Sequence, residues 1–144
     1  MSSPLQRFVD AQDAGGSFEA ALAELRAGRK RTCWIHHVLP QRRGLSTSSR
    51  GIYYGIDGHA EAQAYLKDPI LRDRLCLVIE AIHLHVENGV ALAEIMGSDL
   101  NAMKVRSCCQ LFGLHAALDG HPVCDALARK MHRVLALTRT CCPA

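Results

Sequence analysis

The chain has 144 residues, 49% of them apolar and 22% charged, with a formal net charge of +3 and a mean hydropathy of +0.01. A chain of this length forms one ordinary domain and buries roughly two thirds of its unfolded surface without metals or disulfides. The composition excludes a disordered charged tail, a collagen-like repeat and a membrane bundle.

Pro4 opens the first helical segment, with Leu5, Phe8, Val9 and Gln12 at helical spacing, and Gly15-Gly16 ends it. Ser17 is a good cap for a second helix over Phe18 to Ala27, with Glu19 in its first turn and Gly28 as its stop. From Arg29 to Gly58 regularity is lost. Pro40, Gly44, Gly51, Gly55 and Gly58 interrupt the pattern, and Ser46 to Ser49 read as loop. Within that stretch, Cys33 to Leu39 fits a short helix or an extended core segment, and periodicity does not separate the two. Helix resumes over Ala60 to Leu66. Asp68 is a cap with Pro69 at the first helical position. Leu71, Leu75, Val78, Ile79, Ile82 and Val86 then form the clearest amphipathic stripe in the chain, which Asn88-Gly89 stops. A short helix over Val90 to Met96 ends at Gly97, and a long one starts at Ser98-Asp99 and runs towards Leu118. After the Asp119-Gly120 turn, Pro122 opens the last helix. The pattern predicts an all-α fold: one domain over residues 1–144, five to seven helices, and an irregular basic segment at about 29–58.

The first residues, Met1 to Asp13, lack the apolar core of an export signal. The most apolar stretch, Leu75 to Ile82, is broken by Glu80 and is too short to span a bilayer. The expectation is a soluble cytoplasmic protein, without a membrane partner. Seven Cys fit it, because an odd number cannot pair fully within one chain and Cys108-Cys109 and Cys141-Cys142 are vicinal. Reduced, mostly buried thiols follow.

The near-neutral total conceals an uneven distribution. Between Leu25 and Ile56 there is no acid, while Arg26, Arg29, Lys30, Arg31, Arg42, Arg43 and Arg50 give seven cations, leaving a remainder of −4. The same segment carries Trp34, Tyr53 and Tyr54. Arg grips phosphate bidentately and aromatic faces stack on a base, so this is a plausible anion-binding surface. The plainer reading is a solvated basic loop paired with acids elsewhere. No helix-turn-helix, zinc-finger or RNA-recognition pattern is present, which argues against long nucleic acid.

Eight His and seven Cys raise the question of a metal. Cys33 and His36 have knuckle spacing but no matching second pair, and His83 and His85, two apart on a helix, point to opposite sides. No metal or other cofactor is expected. There is no nucleophile elbow, phosphate loop or dinucleotide fingerprint. Glu61, in the first turn of its helix just after the basic segment, is the carboxylate that a cationic pocket could use as a general base; its plainer role is a helix-dipole partner.

The order of short motifs carries more. R-F-V-D-A-Q (Arg7 to Gln12), E-L-R-A-G-R-K-R (Glu24 to Arg31), Pro40-Gln41, Gly44 to Ser46, Y-Y-G-I (Tyr53 to Ile56), E-A-Q-A-Y-L (Glu61 to Leu66) and P-x-L-x-x-R-L (Pro69 to Leu75) follow one another across nearly the whole chain. Together they resemble the domain-of-unknown-function family numbered 1810, sometimes mislabelled calpastatin. The resemblance implies a small orthogonal array of helices and supplies no settled activity. A relation discussed between that family and the NADAR group would imply a nucleotide diphosphate or ADP-ribosyl ligand on the basic segment, with Glu61 as its acid, in the manner of a hydrolase. The chain departs from the family where H-W-M-W-F-x-F-P-Q is usual: here Cys33 to Gln41 read C-W-I-H-H-V-L-P-Q. It departs again at Lys104 to Phe112, where Cys108 and Gln110 replace the usual Ser and Thr. His36 and His37 in place of aromatics would make a pocket there more polar and pH-sensitive.

The leading expectation is a domain that binds a phosphorylated or nucleotide-like small molecule through Arg29, Lys30, Trp34, Gln41, Tyr54, Lys104 and Ser107. The alternative is a non-catalytic module whose basic loop docks an acidic protein or nucleic acid. The first needs Trp34, Tyr54 and Lys104 on one concavity; the second needs the seven cations on one exposed face.

Overall fold

Apolar residues spaced three and four apart cannot be buried by a lone helix, so helices of this kind must set their stripes against one another. A computed structural model, which describes residues 4–139, shows how they do so. The helices are α1 (Gln6–Asp13), α2 (Ser17–Arg26), α3 (Ile35–Val38), α4 (Ser49–Tyr53), α5 (Gly58–Lys67), α6 (Pro69–Glu87), α7 (Leu92–Met96), α8 (Asp99–Asp119) and α9 (Pro122–Leu137). Six of these have eight residues or more, within the expected range, and α3, α4 and α7 are single turns. No strand forms among the described residues, and the fold is all-α. No described helix is long and apolar enough to cross a membrane. Cys141 and Cys142 lie outside the described residues.

Local chemistry fixes most of the boundaries. Asp68 accepts from the amides of Ile70 (2.9 Å) and Leu71 (3.1 Å), so α6 begins where Pro69 needs no amide partner. Gly97 and Gly120 follow α7 and α8 in the left-handed conformation that closes a helix. Two starts differ from the sequence reading. Ser17 is the first residue of α2 and not its cap: Gly16, at φ +68°, takes that place, and the Ser17 hydroxyl turns instead to His37 Nε2 at 2.8 Å. Ser49 is not loop, because Ser48 accepts the Gly51 amide at 3.1 Å and starts the single turn α4. At α9 the cap is an imidazole, with His121 Nδ1 accepting the Val123 amide at 3.1 Å.

The stripe of α6 is wholly buried against α2 and α9, and α8 lies along α9 while also packing on α5 and α7. Phe8, Tyr65 and Phe112 meet ring to ring at 5.3 and 4.9 Å, which ties α1, α5 and α8 at the centre. Cys108, Cys109 and Cys124 are free thiols in this core, Cys76 is half-buried and Cys33 is exposed. Burial pushes the Cys109 thiol up to about 12 and that of Cys124 to about 11, which keeps both protonated and unreactive.

The irregular basic segment is tied at both ends by backbone bonds. The Lys30 amide donates to the Ile95 carbonyl at 2.7 Å, which joins the chain after α2 to α7. Further on, the Ile56 amide donates to Gln41 (3.0 Å) and the Arg43 amide to Ile56 (2.8 Å), around an isolated bridge between Arg42 and Ile56. This crossing needs Gly55: a Cβ there would stand 2.8 Å from the Arg43 Cα and 3.1 Å from the Gly51 carbonyl oxygen, both backbone atoms. Gly55→Ala is expected to cost about 1–3 kcal/mol by overpacking, read as a lower urea midpoint with the slope unchanged.

Candidate functional site

Glu24, in the last turn of α2 and directly before the acid-free stretch, gathers the chain that leaves the helix. Its carboxylate accepts from the amides of Arg31 (2.6 Å) and Thr32 (2.9 Å), the Thr32 hydroxyl (2.6 Å) and the Trp34 indole N–H (3.0 Å). Burial favours the neutral acid, but the combined donors outweigh it and hold the carboxyl down to about 2. An acid whose oxygens serve N–H and O–H groups in this way has little left for the cations around it.

The turn so made brings Lys30, Cys33 and Trp34 beside α3, α4 and α8. There Lys30, Arg50 and Lys104 stand around one hollow of about 250 Å³, with His36, His37 and Asn101 on its walls and no carboxylate among its lining residues. Among the described residues none of these three cations enters an ion pair. Lys30 Nζ donates to the Thr32 carbonyl at 2.5 Å and lies 5.1 Å from the Trp34 ring centre.

The two imidazoles register this field. Burial first, then Lys104, Arg50 and Lys30, lower the affinity of His36 for its proton. Burial, then Arg50 and His36, bring His37 down to about 4. His37 is therefore neutral at pH 7, with Nε2 2.8 Å from the Ser17 hydroxyl and its ring 5.5 Å from that of Tyr54.

Lys104 also stands at the edge of a second hollow of about 380 Å³, whose walls include Gln41, Leu45, Leu100, Met103 and Ser107. A narrow cleft lined by Gln41, Tyr54 and Lys104, among others, lies between the two. Lys30, Trp34, Gln41, Tyr54, Lys104 and Ser107 thus line adjoining hollows that share Lys104. Arg29 is exposed and lines none of them. Trp34 is a wall and not a platform: it is 1% exposed and its N–H is committed to Glu24, so neither ring face is open to stacking.

Glu61 lies apart. It lines a separate open hollow of about 640 Å³ with Arg7, Asp10, Arg43 and Asp57. Its carboxylate accepts from Arg7 NH2 (2.8 Å) and NH1 (3.2 Å) and from the Asp57 amide (3.0 Å). Burial opposes ionisation, but these donors prevail and lower its pKa, which leaves it a weak base that ties α1 to α5. Among the described residues no group of three or more His, Cys, Asp or Glu side chains could hold a metal ion. His83 faces Glu87 at 3.2 Å and His85 faces the Arg26 carbonyl at 3.0 Å, so the two diverge.

Two members of the cationic hollow were not singled out by sequence. Arg50 was one of seven cations, and only the turn α4 aims it inwards. Asn101 sits in the first turn of α8, where its amide is bonded by the capping Ser98 hydroxyl at 3.1 Å; no sequence signal separates it from an ordinary helix-start residue.

A family model described as "Protein of unknown function (DUF1810)" matches residues 2–139. The solved structure of the conserved hypothetical protein Rv1873 from Mycobacterium tuberculosis is 34% identical, with a TM-score of 0.81 covering 95% of this chain and 88% of that one. Neither description names an activity or the NADAR group. No curated protein matches.

Two outcomes are expected. Glu24→Gln should lower stability by about 1–2 kcal/mol at pH 7, since it weakens charge-assisted bonds at a partly exposed position. The Glu24 contribution is present above the ordinary carboxyl range and is lost as pH falls towards about 2, so the gap between the two proteins in urea titrations should close over that interval. His37 should titrate by NMR with a midpoint near 4. Because the folded protein resists a proton that the unfolded chain accepts from about 6.5 downwards, stability falls between those two values, and His37→Gln should flatten that part of the profile.

Proposed function

The chain belongs to the DUF1810 family of proteins of unknown function, and we propose that it binds a phosphorylated small molecule at the cationic hollow. The observation that carries this reading is the convergence of Lys30, Arg50 and Lys104 on one concavity with no acid to neutralise them. Like charges held together raise the free energy of the empty site, and a phosphate relieves it while accepting their hydrogen bonds. Lys104 is central because it lines all three adjoining hollows. His36 and His37 add hydrogen-bonding capacity, and His37 does so without further charge at pH 7.

The docking alternative is less well supported. It needs the seven cations of the basic segment on one face, yet Arg43 lines the separate hollow of Glu61 and reaches Asp57 at 3.5 Å.

The test is a thermal-shift and calorimetric series with inorganic phosphate, pyrophosphate and ribose 5-phosphate. A ligand at 100 times its Kd should add about 2.7 kcal/mol to stability. Lys104→Ala should weaken binding roughly tenfold or more, as loss of a charge-assisted bond does, and Arg43→Ala, in the other hollow, should leave it unchanged. Absence of binding to every one of these anions would remove the reading.

A further inference from the structure

Resting on the anion reading, we infer that the hollow beyond Lys104 seats the base of a nucleoside monophosphate and that Gln41 reads the hydrogen-bonding edge of that base. The first observation is Gln41 itself. It is 9% exposed, it lines both the larger hollow and the narrow cleft, and its carbonyl oxygen is held by the Ile56 amide at 3.0 Å. Yet its side-chain amide makes no hydrogen bond to any described residue. Its oxygen and nitrogen are not sealed off, since His115 Nδ1 is the buried side-chain polar atom left without a partner among the described residues, so the carboxamide stays open to a ligand that enters the hollow. A donor and an acceptor side by side match a base edge that offers an acceptor beside a donor, as a carboxamide pairs with the amino group and ring nitrogen of adenine.

The second observation is the wall around it. Leu45, Leu100 and Met103 line the same hollow and are 45%, 62% and 50% exposed. Large apolar side chains left open around a concavity suit a flat ring, and the polarisable Met sulfur packs well on aromatic faces. Leu100, Met103, Lys104 and Ser107 follow one another at spacings of three, one and three along α8, so one helix face presents apolar contacts and the phosphate-binding ammonium together.

The two hollows meet at Lys104, so a ligand with its phosphate among Lys30, Arg50 and Lys104 places whatever it carries next against Gln41. A sugar phosphate without a base leaves the apolar wall and the carboxamide unused. An acyl phosphate covers the wall and still leaves the carboxamide unpaired. A nucleoside monophosphate satisfies both.

Calorimetry of the full chain with AMP and with ribose 5-phosphate tests this. AMP should bind at least tenfold more tightly. Gln41→Leu, which keeps the volume and removes the hydrogen bonds, should bring AMP down to the level of ribose 5-phosphate. Met103→Ser, at a half-exposed position, should shrink the same ratio and serves if Gln41→Leu does not fold. Equal affinity of the unaltered protein for the two ligands overturns the base site while leaving the anion reading intact. A preference for AMP that survives both substitutions also overturns it. Failure of both ligands to bind overturns the anion reading beneath it.

Discussion

The bonds accepted by Glu24 are the constraint on which the rest of the site depends. One carboxylate takes two backbone amides, a hydroxyl and an indole N–H within a few residues of the end of α2. Two consequences follow from the same bonds. The chain is turned so that Lys30 and Trp34 face α8. The acid nearest to the basic segment also accepts its hydrogen bonds from neutral donors and forms no ion pair with Lys30. With no other acid before Asp57, Lys30 and Arg50 have no acid beside them in sequence. A basic loop that pairs with the domain's own acids is the commoner outcome, and among the described residues it is realised for Arg43 with Asp57, on the other hollow.

Behind this wall, the core positions α3 through a small number of buried polar contacts. Gln12 of α1, almost wholly enclosed, donates to the His37 carbonyl at 2.8 Å and accepts from Arg74 of α6 at 3.2 Å. Buried amides are tolerated when both ends are used, and such a residue fixes register between elements. The aromatic contacts run the same way: Phe8 meets Tyr65 in the core and Tyr54 at the cleft, and Tyr54 meets His37. Helix α8 then serves both sides at once. Ala102, Val105, Cys108, Cys109 and Phe112 fill the interior, while Lys104 and Ser107 line the hollows.

How much of this was legible in the sequence depends on what kind of partner each residue uses. The stripe of α6, the Asp68-Pro69 start and the glycine stops were readable because their causes lie within a few residues. The separation of charge was readable by counting. Glu24 was not readable, because three of its four donors come from the ordinary loop residues Arg31 and Thr32, two of them backbone amides, and backbone groups have no letter of their own. Glu61 looked like a free carboxylate beside a basic segment, since its partner Arg7 is 54 positions away. Trp34 looked like a stacking surface, since composition cannot show that its indole N–H is committed within the domain. Gln41 was named among the ligand-binding residues, but only the fold shows its carboxamide unpaired and lining two adjoining hollows.

The histidines explain how three positive charges can be kept together without further expense. Aromatic residues at positions 36 and 37 would complete an apolar wall beside Lys30, Arg50 and Lys104, and solvent would have to supply every remaining hydrogen bond. Protonated imidazoles would add to a repulsion that is already unrelieved. Neutral ones do neither, and the field of the cations is itself among the causes that keep them so: Lys104, Arg50 and Lys30 act on His36, and Arg50 acts on His37. The hollow therefore contains fixed positive charge and polar rings whose protonation the same charge opposes. That pairing gives this chain a polar, cationic wall, and it is the physical content of a net charge that looked nearly neutral when counted over the whole sequence.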